Sequence, residues 1–129
     1  MLTFDEVGEI LDEIAEELPR EFYNHLNGGI LLLPEARRHP GEQARDLYIM
    51  GEYVRNQMGR YIIIYYGSFA AVFGHYPPEK IREELRETLY HEFTHHVESL
   101  AGVRSLEIKD DLKLARYRAQ HSYRRKKQG

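Results

Sequence analysis

Residues 77–102 read PPEKIREELRETLYHEFTHHVESLAG, and this stretch decides the fold. Two prolines open it, which a helix accepts in its first turn, and Gly102 closes it as a C-terminal cap residue. No proline or glycine falls between Glu79 and Ala101, so the spacing predicts a helix of about six turns. Ile81, Leu85, Leu89, Phe93, Val97 and Leu100 recur at intervals of four and three and form one apolar stripe. His91, His95 and Glu98 fall on another face, so the two histidines are not core positions of the amphipathic pattern.

Within this helix His91-Glu92-Phe93-Thr94-His95 has the form HExxH. Residues four apart lie above one another, so two imidazoles can hold one ion. Glu92 is turned off their line by roughly 100° and can reach a water bound to that ion. This is the pattern of a zinc peptidase helix, with two histidine ligands and a glutamate base. Charge placement agrees. From Glu79 to Glu87 seven of nine residues are charged, whereas from Thr88 to Gly102 only Glu92 and Glu98 are acidic and no lysine or arginine occurs. Carboxylates in a polar-poor segment are costly without a partner, and a metal site explains both.

A catalytic zinc usually has three protein ligands and a water. Glu98 follows His91 by seven residues, about 20° from its direction on the helix. It leans back toward His95 and is the first candidate for the third ligand. A carboxylate from a later segment is the alternative, and Glu107, Asp110 and Asp111 all qualify. In that case Glu98 would accept the other N–H of a ligand histidine. His96 lies near the apolar stripe and reads as a packed, hydrogen-bonded histidine. His75 and Tyr76 could reach a cleft beside the helix, and Tyr65, Tyr66 or Tyr90 could donate to a tetrahedral oxyanion.

The chain of 129 residues suits one domain over its whole length, with residues 104–129 as a C-terminal extension ending in a basic tail. A net charge of −3 argues against broad nucleic-acid binding, and Arg124-Arg125-Lys126-Lys127 reads as a solubilising end. No cysteine is present, which excludes a disulfide framework and thiolate ligation. The N-terminus is acidic and lacks a signal-peptide pattern, and the longest uncharged run, Tyr61 to Gly74, is too short to span a bilayer. A cytoplasmic protein without membrane attachment is expected.

Phe4 to Leu18 is predicted as an amphipathic helix, with Thr3 and Glu6 forming a capping box and Pro19 ending it. Ile30 to Leu33 reads as a short strand, residues 34–43 as a loop, and Tyr48 to Val54 as a second strand with Gly51 as a bulge or close-approach point. After a turn at residues 56–59, Tyr61 to Tyr66 reads as a strand covered on both faces. A short helical piece is expected over Phe69–Val72, an extended piece over Val103–Ile108 and a last helix over Asp110–His121. The order gives an α+β domain, a small mixed three-stranded sheet packed on the long helix.

The helix ending in Glu17-Leu18-Pro19-Arg20-Glu21-Phe22, the apolar strand, the strand ending in Tyr65-Tyr66-Gly67 and the run HEFTHH together resemble the minimal zincins, small bacterial metallopeptidase-like proteins. The resemblance spans about residues 4–102. It implies a zincin-like fold with a cleft between sheet and helix, one zinc ion held by His91 and His95, and Glu92 as the catalytic base. The chain departs from the family's continuation HExxHxxGxxD, with Glu98 at the glycine position and Ala101 at the aspartate position, so the third ligand does not transfer. The function expected is zinc-dependent hydrolysis of a peptide or protein. The alternative is a zinc-binding protein without turnover that holds a peptide or protein partner.

Overall fold

The computed structural model describes residues 1–41, 47–100 and 112–118. It opens with helix α1, Phe4–Glu16, started by the predicted capping box. The Glu6 N–H donates to Thr3 Oγ1 at 3.1 Å and the Thr3 N–H to Glu6 Oε1 at 2.9 Å. Val7, Leu11 and Ile14 turn inward. The helix stops two residues short of Leu18, and Pro19 instead begins a 3₁₀ turn over Arg20–Tyr23 that buries Phe22. Proline fits there because its fixed φ and missing N–H suit a helical start.

Strand β1, Gly29–Leu33, pairs in parallel with β5, Gly59–Tyr65, and β5 pairs antiparallel with β4, Gly51–Asn56. The sheet order is β1-β5-β4, so β5 is central and β4 is an edge. A two-residue hairpin joins β4 to β5, with Gly59 at φ +123° and the Met58 N–H on Asn56 Oδ1 at 2.8 Å. The continuous apolar run of β5 follows from its central place: Ile62, Ile63, Ile64 and Tyr65 are all buried.

Two features refine the expected layout. The segment read as a loop contributes β2, Arg37–Arg38, which forms a two-residue antiparallel ribbon with β3, Tyr48–Ile49. The expected strand over Tyr48–Val54 is therefore broken at Met50, whose carbonyl accepts the Tyr65 N–H at 3.0 Å. Helix α2, Tyr66–Phe73, starts directly from the end of β5 and is longer than the predicted piece.

Helix α3, Pro78–Ser99, is the long helix, opened by proline as predicted. Its predicted stripe is the core as far as Val97: Ile81, Leu85, Leu89, Phe93 and Val97 are each at most 1% exposed and pack with α1, β5 and Phe22, whereas Leu100 lies past the helix end and is only partly buried. Gly51 is the point where β4 meets α3, since a Cβ there would lie 3.0 Å from Thr88 Cγ2 and from the Ile63 carbonyl. On its other side α3 is tied to α1 by ion pairs, Arg82 to Glu13 at 2.5 Å and Arg86 to Glu17 at 2.7 Å. Residues 112–118 are helical, with Leu112 in the core and Arg116 paired with Glu87.

The α+β class with a mixed three-stranded sheet stands. The extended piece expected over Val103–Ile108 and the basic tail lie outside the described residues. Among the described residues no helix is long and apolar enough to cross a membrane.

Candidate functional site

The open face of α3 and the edge strand β4 flank a wide-open cavity of about 750 Å³, lined by Gly51, Glu52, Tyr53, Arg55, His91, Glu92, His95, Glu98 and Ser99. His91 and His95 stand exposed on its helix wall, one turn apart, with their Nε2 atoms 3.1 Å from each other. Two nitrogens on one tetrahedral zinc, each at about 2.0–2.1 Å, lie roughly 3.3 Å apart. The pair is thus spaced for a shared ion as well as for a hydrogen bond from one ring to the other.

Glu92 lies deeper, only 6% exposed. Burial pushes its carboxyl pKa up, with Glu52 adding to the rise and His91 and the Tyr53 backbone N–H opposing it. A carboxylate held this way is a stronger proton acceptor than one in water.

Glu98 approaches His95 from the other ring edge, 3.9 Å from Nδ1. Nδ1 is the nitrogen turned away from His91, so Glu98 lies on the far side of the ring from the point the two Nε2 atoms share. Among the described residues no group of three or more His, Cys, Asp or Glu could hold a metal ion. Glu107, Asp110 and Asp111, the alternatives for the third ligand, lie outside the described residues. Among the described residues the donors gathered here are therefore two imidazoles, His91 and His95, with the Glu92 carboxyl in the same cavity.

His96 points the opposite way and is fully buried, as its place beside the stripe predicts. Its Nε2 lies 2.8 Å from the Asn24 carbonyl, which can only accept, so Nε2 carries the proton. Nδ1 then accepts from the Tyr53 hydroxyl at 2.9 Å, and the Tyr53 oxygen also meets Ser99 Oγ at 2.8 Å. This network fixes the middle of β4 to the end of α3. Burial lowers the His96 pKa, partly opposed by the Asn24 carbonyl.

The other residues considered from the sequence are elsewhere. Tyr90 donates to Glu17 Oε2 at 3.0 Å on the α1 side, and Tyr66 donates to the Leu2 carbonyl at 2.6 Å. Tyr76 packs on Phe73, and neither it nor His75 lines the cavity. Tyr65 does reach the site's margin. It donates to Glu52 Oε2 at 3.2 Å, and Arg37 holds the other oxygen of Glu52 at 3.0 Å. Sequence reasoning misses Glu52, Tyr53, Arg55 and Ser99 as site residues, because only tertiary packing brings positions 51–55 beside 91–99.

No protein-family model and no curated protein matches the chain. A solved structure of a conserved hypothetical protein from Thermo thermophilus is similar, with a TM-score of 0.67 and 34% identity over 78% of this chain and 98% of that chain. The chain belongs to the family of that protein. This corrects the resemblance to the minimal zincins. The relative that establishes the family is described only as a conserved hypothetical protein, and the described residues gather no three-ligand metal group. The physical reason is local: HExxH sets two donors by helix periodicity, whereas Glu98 turns to Nδ1 of His95.

Proposed function

We propose that this protein is a zinc-dependent peptidase that hydrolyses a peptide lying against β4. One observation carries the reading: His91 and His95 converge to 3.1 Å at Nε2 beside a buried glutamate in the same cavity. His91 and His95 would hold the ion through Nε2, and a later acid, Glu107, Asp110 or Asp111, would supply the third donor. When bound, zinc supplies Lewis acidity toward a carbonyl oxygen and acidifies water.

The chain's own groups do the rest. Glu98, 3.9 Å from His95 Nδ1, would close on that nitrogen to orient the ring for ligation through Nε2. Glu92, with its raised pKa, accepts the proton of the attacking water and returns it to the departing amine. Among the described residues β4 has no strand on its outer edge, which would offer backbone N–H and C=O groups to an extended peptide, the ordinary mode of strand addition.

The test is Glu92→Gln, assayed for zinc content and for cleavage of a peptide library. It should keep zinc and lose about 10²–10⁴-fold in rate, the usual worth of a general base. Cleavage at the unaltered rate would refute the role of Glu92. Zinc and peptide binding with no hydrolysis by the unaltered protein would replace the proposal with a zinc-dependent peptide-binding function.

A further inference from the structure

Arg55 of β4 and Arg60 of β5 are directly paired in register. They share the sheet face that carries Tyr53 and Ile62, the face against which α3 packs. Two like charges set opposite each other on one face destabilise a sheet unless something compensates them. Arg37, Arg82, Arg86 and Arg116 each hold a carboxylate. Among the described residues neither Arg55 nor Arg60 has an ion pair, and Arg60 Nε is buried with no hydrogen-bond acceptor.

The location of the pair matters. Arg55 is exposed and lines the same cavity as His91, Glu92 and His95, and no other lysine or arginine lines it among the described residues. Of the acids that line the cavity, Glu52 is held by Arg37 and Tyr65, Glu92 is buried, and Glu98 lies 3.9 Å from His95 Nδ1. Arg55 follows Tyr53, whose backbone N–H acts on Glu92, by two residues on the same face. It therefore stands roughly 6–7 Å further along the strand.

We propose that Arg55, backed by Arg60, binds a carboxylate of the peptide about two residues from the bond that Glu92 serves. The proposal rests on the peptidase reading for the identity of the ligand as a peptide. Guanidinium and carboxylate match in planar, two-bond geometry, which makes this chemistry specific. Two sources of the carboxylate exist, and strand direction separates them. A peptide antiparallel to β4 would bring an Asp or Glu side chain on its N-terminal side to Arg55. A parallel peptide would bring its C-terminal carboxylate.

Binding separates these cases without turnover. The chain contains no tryptophan, so one tryptophan in a peptide reports binding by fluorescence anisotropy. The probes are alanine-leucine octapeptides carrying Asp or Asn two residues before the centre, and shorter ones ending two residues after it as free acid or amide. Titrated with zinc-loaded Glu92→Gln protein, one acid-bearing peptide should bind about tenfold more tightly than its neutral counterpart. Adding Arg55→Gln should remove that preference and leave the neutral peptide unchanged, while Arg55→Lys should retain part of it. Thermal melts within about 2 °C of the parent would confirm that each variant is folded.

Equal binding of acid and neutral peptides, or an equal loss for both in Arg55→Gln, would overturn the proposal. Hydrolysis by the unaltered protein with no preference for acid would overturn it while leaving the peptidase reading intact. Acid-selective binding through Arg55 without hydrolysis would overturn the peptidase reading and support the carboxylate site.

Discussion

Replacing Glu17 with alanine should destabilise the protein by about 2–3 kcal/mol, because Glu17 clamps α1 to the helix that carries His91 and His95. Arg86 is 4% exposed and meets Glu17 through two bonds, Nε to Oε2 at 3.0 Å and Nη2 to Oε1 at 2.7 Å. Tyr90 adds a third bond to Oε2 at 3.0 Å. Breaking a buried pair from one side costs about 3–5 kcal/mol, since the remaining charge stays desolvated. The Glu17 side chain is 33% exposed, so water recovers part of that loss and brings it down to about 2–3 kcal/mol.

For a domain of this size each kcal/mol corresponds to about 3–5 °C, so the midpoint should fall by roughly 6–15 °C. The assay is thermal and urea unfolding of the unaltered protein, Glu17→Ala, Arg86→Met and the double variant. The double variant should be more stable than the sum of the single effects by at least about 1 kcal/mol, because it removes both charges together. A fall of less than about 2 °C for Glu17→Ala, or additivity within about 0.5 kcal/mol, would refute the reasoning.

Three further outcomes are expected. Zinc at a hundredfold excess over its Kd should stabilise the unaltered protein by about 2.7 kcal/mol and leave His95→Ala unmoved, read by thermal shift with magnesium as control. Gly67→Ala should cost about 1–3 kcal/mol in urea unfolding, because a Cβ there would strike the backbone of Glu35 and Ala36, which cannot swing aside as a side chain can. His96 has a folded pKa below its ordinary 6.5, so its contribution is fully present above 6.5 and is lost as pH falls toward the folded value. The stability gap between the unaltered protein and His96→Gln should therefore shrink on acidification through that range, and a pH-independent gap would count against a buried neutral imidazole.

Much of the fold was legible because its signals are local. The Thr3–Glu6 capping box, the stripe from Ile81 to Val97 and the unalternating run of β5 each depend on neighbours within a few residues. The errors lay where pairing overrode local signs. Arg37 and Arg38 stand in a proline-bounded polar stretch, yet they pair with Tyr48 and Ile49 because the chain doubles back there. Tyr66 continues an apolar β-favouring run but begins α2, and its hydroxyl reaches the Leu2 carbonyl instead of a cleft.

By itself the sequence determined the helix, and with it two histidines one turn apart and a glutamate turned off their line, since about 3.6 residues per turn leave no other arrangement. It also determined which acids were available near them. Only the tertiary structure decided that Glu92 is desolvated, that Glu98 lies on the Nδ1 side of His95, and that His96 locks Tyr53. The same packing placed Arg55 in the cavity. These depend on β4 lying against α3 some forty residues later in the chain, a proximity set by the burial of both around Gly51 and Thr88 rather than by any local pattern.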